Sequence, residues 1–432
     1  MAGQEQPRQA PGFDQLDPFN LRKAQSCIHC GLCLEHCPTY RETGNEAASP
    51  RGRIYLMRAV AGGRMGMTQA FVDQMYLCLD CRACESACPS GVPYGQLVEA
   101  ARGQIERNRR RPWWQSRLRQ LVYAQLLPSP ALLALAFWPA RFYLALARRW
   151  PVERLLPSRL RALSELLPRE IGAPFWPAHY QQVPAQGQAR RRLAFFSGCV
   201  MSFALPDVHR VTLQVLARAG CAVETPPEQT CCGALAVHAG ERGIARALAR
   251  RNIAVFEKLG VDQVVVNSAG CGAMLKEYGE LLARDHQYAE RAHRFAHQVK
   301  DVSEVLFELP RPPMRPLPVK VAYDEPCHLQ HGQRISAQPK QLLQEVPGLE
   351  LVKLPGADRC CGSAGIYNLT QPAMSQRLLA QKVQAVQDSG AQVVATGNPG
   401  CILQIRRGLR QAGSPIPVVH PVELLDQAQR GT

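Results

Sequence analysis

The sequence predicts a multidomain α+β protein: an α-helical front module, a helical linker and two tandem α/β repeats. Three observations carry that reading. Eight of the 17 cysteines fall between residues 27 and 88, in two copies of one spacing. None falls from 89 to 198, a span rich in arginine, tryptophan and proline. The other nine return from 199 to 401 in a pattern that itself repeats. The expected boundaries are 1–106, 107–190, 191–312 and 313–432. With 432 residues and 46% apolar composition, the chain has room for several cores and is too apolar to be disordered. The N-terminus shows no basic segment followed by an apolar run, and the cysteine count is odd. A reducing, cytoplasmic compartment is therefore expected, where clustered thiols bind metal or do redox chemistry instead of pairing. The net charge of +16 suits an acidic partner, a membrane surface or nucleic acid.

In the front module, Cys27, Cys30, Cys33 and Cys37 precede Pro38 as C-x2-C-x2-C-x3-C-P, and Cys78, Cys81, Cys84 and Cys88 precede Pro89 in the same way. Three thiolates at i, i+3 and i+6 wrap one face of a cubane iron–sulfur cluster, and the fourth, before proline, reaches the other cluster. The expected ligand sets are Cys27, Cys30, Cys33 and Cys88 for one [4Fe-4S] cluster, and Cys78, Cys81, Cys84 and Cys37 for the second. Zinc modules use separated C-x2-C pairs around one ion, which is not this pattern. Gly31, Ala83 and Gly91 are small enough to let backbone amides approach the sulfurs. The 40 residues between the motifs carry helical apolar spacing at Ile54–Val60 and Phe71–Tyr76, so the module reads as a helical ferredoxin.

Residues 101–192 hold 17 arginines, no lysine and four acids, which places +13 of the chain's +16 there, with all five tryptophans. Ten prolines are expected to break the region into short pieces. Its most apolar run, Ala131–Ala147, contains Pro139 and Arg141 and falls short of the about 20 apolar residues a spanning helix needs. Arginine and tryptophan on short helices suit a membrane interface, a protein–protein seam or a linker packed on its own domains. No nucleic-acid-binding motif accompanies the basic charge, so nucleic acid is not expected as a partner.

In the rear half, Cys199 leads to Cys231-Cys232-Gly233 and then Cys271, and Cys327 leads to Cys360-Cys361-Gly362 and then Cys401, with nearly equal spacings. Cys221 is left over. Arg192–Phe196 and Val319–Tyr323 read as strands running into the first cysteine of each repeat. Val264–Asn267 and Val393–Thr396 read as buried parallel strands ahead of the last, and Ile244–Leu259 and Met374–Val386 as helices. The thiols are then expected at the carboxyl ends of the strands, near helix N-termini, which favour thiolate and offset cluster charge. Each set of four serves as cluster ligands, as redox thiols or as a buried thiol group without cofactor. His328 and His331, beside Cys327, read as ligands, proton carriers or ordinary histidines.

The motifs C-I-H-C-G-L-C-L-E-H-C-P-T-Y, S-P-R-G-R-I-Y-L (Ser49–Leu56) and C-L-D-C-R-A-C-E-S-A-C-P-S-G-V-P-Y-G resemble the iron–sulfur subunits of bacterial glycolate oxidase. So do D-E-P-C-H-L-Q-H, C-C-G-S-A-G-I-Y-N and A-T-G-N-P-G-C in the second repeat. The likeness runs through the chain in order and is weakest across 101–192. It implies two FAD-binding partner subunits that oxidise glycolate to glyoxylate, and a chain that relays electrons towards a membrane or quinone acceptor. The rear repeats are also similar to the CCG domains of heterodisulfide reductase and of the anaerobic glycerol-3-phosphate dehydrogenase small subunit. That pattern ends in C-x2-C, where this chain has Met274 and Gln404. No G-x-G-x-x-G follows a predicted strand and no acid/base pair for oxidising a hydroxy acid stands out, so no flavin and no catalytic residue are expected on this chain. An equivalent subunit for lactate or glycerol 3-phosphate, or a thiol–disulfide redox protein, is the alternative. A location at the cytoplasmic membrane, as a peripheral protein, follows from the expected acceptor.

Overall fold

A computed structural model describes residues 12–15, 17–109, 111–147 and 172–430. Trp150, Pro151, Pro157, Pro168 and the acids Glu153, Glu165 and Glu170 lie outside these ranges.

The front module is helical. The Pro50–Ala61 helix begins where Ser49 Oγ accepts from the Gly52 amide at 3.0 Å, with Pro50 in the first turn, where no amide hydrogen is needed. The Gln69–Leu77 helix is capped by Thr68, whose hydroxyl accepts from Phe71 N at 3.3 Å. Both pack with the Tyr94–Asn108 helix around Met57, Phe71, Met75 and Leu97, each almost fully buried. These are the helices predicted from Ile54–Val60 and Phe71–Tyr76, extended by their caps.

Each rear repeat is a sheet with helices on both faces. In the first, β1 (Gln182–Val183), β2 (Arg191–Phe196), β3 (Cys221–Glu224), β4 (Gln263–Val266) and β5 (Val299–Asp301) lie in the order β1-β3-β2-β4-β5. In the second, β6 (Val319–Tyr323), β7 (Leu349–Val352), β8 (Val393–Ala395) and β9 (Val418–Val419) lie in the order β7-β6-β8-β9. All pairings are parallel except β1 with β3. Without the β1 edge the two sheets have one topology, which is the internal repeat. Leu193–Phe196 and Val264–Val266 are buried throughout, as parallel strands covered on both faces must be. The strand order reverses between β2 and β4, and between β6 and β8, and the carboxyl-terminal crevices of such sheets are where ligands bind.

The repeats share one core, in which Phe195, Val265 and Leu216 join Ala322, Val394 and Ile402. Their switch points meet: Ala269 N donates to Gly397 O at 3.1 Å, and Gly270 N to Asn398 Oδ1 at 3.1 Å.

The middle region departs from expectation in one way and agrees with the packed-linker alternative in another. Its prolines do not cut it wholly into short pieces, because one helix runs from Pro130 to Ala147 through Pro139. Its charge is partly spent inside the fold, since Arg107, Arg111, Arg119, Arg191 and Arg192 pair with Asp14, Glu106, Glu241, Glu308 and Glu224. No single helix among the described residues is long and apolar enough to cross a membrane.

Candidate metal centres and redox cavity

The two front motifs bend alike. His29 and Asp80 take φ of 57° and 56°, and Gly31 and Arg82 take 87° and 63°. These are the same two positions of each C-x2-C-x2-C loop. Three of the four are not glycine, so the left-handed turns answer a demand of the loop and not a residue preference. Asp80 N donates to Cys78 Sγ at 3.3 Å, and Tyr94 Oη donates to the same sulfur at 3.6 Å.

Cys37 comes back to the second loop. With Cys78, Cys81 and Cys84 it lines one small cavity, together with Thr39, Arg53 and Tyr94. Burial, and then the neighbouring sulfurs, push the Cys81 and Cys84 thiols up, so thiolates here require compensating positive charge. Arg53 brings one. It is 1% exposed, and donates to Gln74 O at 2.8 Å and Thr39 Oγ1 at 3.0 Å. Burial opposes its charge, but Tyr94, Cys78 and Cys37 outweigh that and hold it protonated. Four thiols, a buried guanidinium, and an amide and a phenol that donate to sulfur fit an anionic iron–sulfur cluster. Cys27, Cys33 and Cys88 are partly buried against the module's core, and Cys30 is exposed between Ile28 and Leu32, themselves 69% and 59% exposed.

Arg51, Gly52 and Arg53 form a positioning element that spacing alone did not single out. Arg51 pairs with Glu46 and donates to His29 O at 3.2 Å, bracing the first loop. A side chain at Gly52 would collide with Glu46 O. Their signal in the sequence was the run Ser49-Pro50-Arg51-Gly52-Arg53 itself.

All eight paired rear cysteines line one cavity of about 260 Å³ between the repeats. Cys199 Sγ donates to Cys231 Sγ at 3.4 Å, and Cys232 Sγ to Cys271 Sγ at 3.5 Å. In the second repeat the free thiols Cys327 and Cys360, and Cys361 and Cys401, interact in the same pairing. Gly233 and Gly362 have φ of 90° and 86°, and a side chain on Gly362 would come within 2.7 Å of Ser375 O. The Gly233 amide donates to Cys231 Sγ at 3.4 Å. Hydrogen bonds from neighbouring thiols and then from the glycine amide hold Cys231 and Cys360 well below the ordinary thiol range, despite burial. Each repeat thus favours one thiolate, at the first cysteine of its C-C-G turn. Met274 is buried in the core, while Gln404 lines the cavity, donates to Ser375 Oγ at 3.0 Å and leaves its buried Oε1 without a partner. Two thiolates, six further thiols and an orphaned carbonyl oxygen fit a metal cluster or a redox ligand.

His328 lines this cavity, with Nδ1 3.5 Å from Cys327 Sγ; burial, and then His238, lower its pKa to about 4, so it is neutral at pH 7. His331 instead bonds Ser86 of the front module, Nδ1 to Oγ 2.8 Å. Cys221 begins β3, fully buried in the shared core, and does not line the thiol cavity.

The front module docks beside this cavity. Cys81 packs in one buried group with Cys327 and Cys360, walled by Leu79, Ala83 and Tyr367. Tyr367 Oη donates to Leu77 O at 2.8 Å, and Arg82 is paired with both Glu85 and Glu277. Asp80 and His238 meet at 3.1 Å across the same seam.

Comparison with known proteins agrees with this division. The 4Fe-4S dicluster domain family matches residues 23–92, which implies two iron–sulfur clusters, and the CCG cysteine-rich domain family matches 193–276 and 321–406. The chain is 40% identical over 414 residues to the probable glycolate oxidase iron–sulfur subunit of Bacillus subtilis, covering 93% of each. It is 33% identical over 415 residues to the glycolate oxidase iron–sulfur subunit of Escherichia coli, covering 94% of each. It is 27% identical to one subunit of the CoM/CoB fumarate reductase of Methanothermobacter marburgensis, over 97% of this chain and 76% of that one. A dicluster module seated on two facing CCG repeats, with these similarities along nearly its whole length, makes the chain a member of the glycolate oxidase iron–sulfur subunit family.

Proposed function

We propose that this chain is the electron-relay subunit of a glycolate-oxidising complex, between FAD-binding partner subunits and a quinone-type acceptor at the cytoplasmic membrane. The observation that carries the proposal is the seam: Cys81 of the second front motif lies against Cys327 and Cys360 of the rear cavity, so the cysteine groups stand in series. Iron–sulfur clusters, when bound, supply one-electron carriers, the complement a two-electron flavin requires.

The residues divide the work. Cys27, Cys30, Cys33 and Cys88 hold the outer cluster, and the exposed Ile28 and Leu32 beside Cys30 offer an apolar rim to the flavoprotein. Cys78, Cys81, Cys84 and Cys37 hold the inner cluster, with Arg53 supplying buried positive charge. The eight rear cysteines hold a further cluster or act as redox thiols, with Cys231 and Cys360 as the thiolates. Removal of hydride from the substrate is the partner's task.

The test is to purify the chain with its flavoprotein partners, count iron and add glycolate anaerobically. A cluster EPR signal should appear with glycolate. About eight iron atoms per chain correspond to the front module alone, and about twelve to one further four-iron cluster behind it. A signal raised only by lactate or glycerol 3-phosphate overturns the substrate. Undiminished quinone reduction in Cys30→Ser overturns the relay.

A further inference from the structure

The described residues expose fifteen large hydrophobic side chains, and nine lie between Trp113 and Leu146. They are ordered. On the Trp113–Gln120 helix and its continuation, Trp114, Leu118 and Leu121 follow at helical spacing; on the Pro130–Ala147 helix, Leu132, Leu135, Trp138, Phe142 and Leu146 form one stripe. Trp113, Leu135 and Trp138 are 78%, 68% and 64% exposed. A soluble surface seldom leaves so concentrated an apolar area uncovered.

The two arms meet at 108°. Each is tethered by its other side: Tyr123 is buried against the first repeat, and Leu133 is buried while Phe137 stacks on Phe203 at 5.8 Å. From 112 to 147 there is no acid and no lysine, only Arg117, Arg119 and Arg141. Arg119 is turned inward onto Glu241, and Arg117 is exposed. At the bend, Pro128 O accepts from Thr230 Oγ1 at 3.0 Å, and Thr230 directly precedes Cys231 and Cys232.

We propose that this elbow is a lipid-docking element for an anionic bilayer surface, and that it seats the first repeat, with its Cys231-Cys232 turn, at the membrane. Tryptophan, leucine and phenylalanine on one face with arginine and no acid is the composition of helices that lie in the headgroup region. The complementary charge is that of anionic headgroups. The front module touches both repeats, but its Cys81 lies against Cys327 and Cys360 of the second, while the elbow meets the first at Thr230, beside Cys231, so the thiols nearest the front module and those nearest the elbow belong to different repeats. The inference deepens the proposed delivery of electrons to a membrane acceptor and rests on that reading for its purpose.

Sedimentation of the holoprotein with vesicles tests it. The chain should pellet with phosphatidylglycerol-containing vesicles, more weakly with phosphatidylcholine alone, and less at raised salt. Replacing Leu135→Ser, Trp138→Ser and Phe142→Ser together should lower partitioning at least about tenfold. Iron content and circular dichroism should be unchanged, as those side chains are exposed. Absence of wild-type binding to either vesicle, or binding indifferent to the triple variant, overturns the proposal. Loss of flavoprotein co-purification in the triple variant, with vesicle binding intact, makes the patch a subunit seam instead. Glycolate-driven reduction of a soluble dye by the complex separates the two readings. Its absence in wild type, with vesicle binding retained, defeats the relay alone, whereas its presence without vesicle binding defeats the lipid site alone.

Discussion

Arg53 shows how one side chain serves both the fold and the cluster environment. Its guanidinium lies among Thr39, Gln74 O and the cavity of Cys37, Cys78, Cys81 and Cys84. Arg53→Met should cost about 1–3 kcal/mol by leaving buried acceptors unpaired, and should make the inner cluster harder to reduce by removing a positive charge. Arg53→Lys should lose stability but keep most of the potential, since it keeps the charge and not the fork. Thermal denaturation and a redox titration followed by EPR measure the two effects separately. Cys221 is the opposite case. Burial pushes its pKa up to about 11, and it fills core space beside Val223 and Leu216. Cys221→Ala should cost about 1 kcal/mol and leave the iron count unchanged, whereas Cys84→Ser should lower it. The odd cysteine of the sequence is thus a packing residue, and only its burial reveals that.

Among the elements, the segment from Ser49 to Arg53 does the most for the front module. Ser49 starts a helix, Arg51 braces the first loop, Gly52 admits Glu46 O, and Arg53 reaches the second loop. Gly52→Ala must move Glu46 or the helix start. It should reduce cluster content and lower the melting temperature more than Ser49→Ala, whose lost cap is worth about 1 kcal/mol; iron assay and calorimetry on the two variants check the order. The helices Pro50–Ala61, Gln69–Leu77, Arg242–Glu257 and Pro372–Asp388 and the strands β2, β4, β6 and β8 were legible from periodicity because their buried runs are strong, whereas the helices Tyr94–Asn108, Pro206–Arg218 and Pro399–Gln411 were not singled out. The strands β5 and β9, of three and two residues, were not, since so short a run carries no period of its own. The Pro130–Ala147 helix was misjudged because Pro139 stands at an exposed position, where a carbonyl it leaves unpaired can be met by water.

At the scale of the whole molecule, one buried neutral histidine bridges the two repeats and a second backs it from within the first. His420 donates from Nε2 to Asn267 O at 3.0 Å across the seam, and Asn267 Nδ2 lies 3.1 Å from His209 Nδ1. Burial lowers His209 to about 3 and His420 to about 4. Both are depressed below the unfolded value of about 6.5, so the unfolded chain binds more protons as the pH falls below that value, and stability is lost on acidification from there towards pH 4. Asp301, raised to about 6 by burial, works the other way between pH 4 and 6. Melting temperature should therefore fall from pH 7 towards pH 5, and His420→Gln, which keeps a donor and an acceptor without a proton to gain, should flatten that slope. An unchanged slope would remove His420 from the account.

Residue spacing along the chain carries the three-part organisation, the two four-cysteine motifs of the dicluster module, the duplicated α/β repeat and the family likeness. Folding in three dimensions adds that eight rear cysteines share one cavity, that Cys81 stands against Cys327 and Cys360, that part of the arginine charge is spent on internal ion pairs, and that the remaining apolar stripe faces outward. The physical reason is that spacing encodes local geometry, whereas the facing of two sheets, the docking of a module and the exposure of a helix side are settled by which surfaces bury one another, across separations of hundreds of residues.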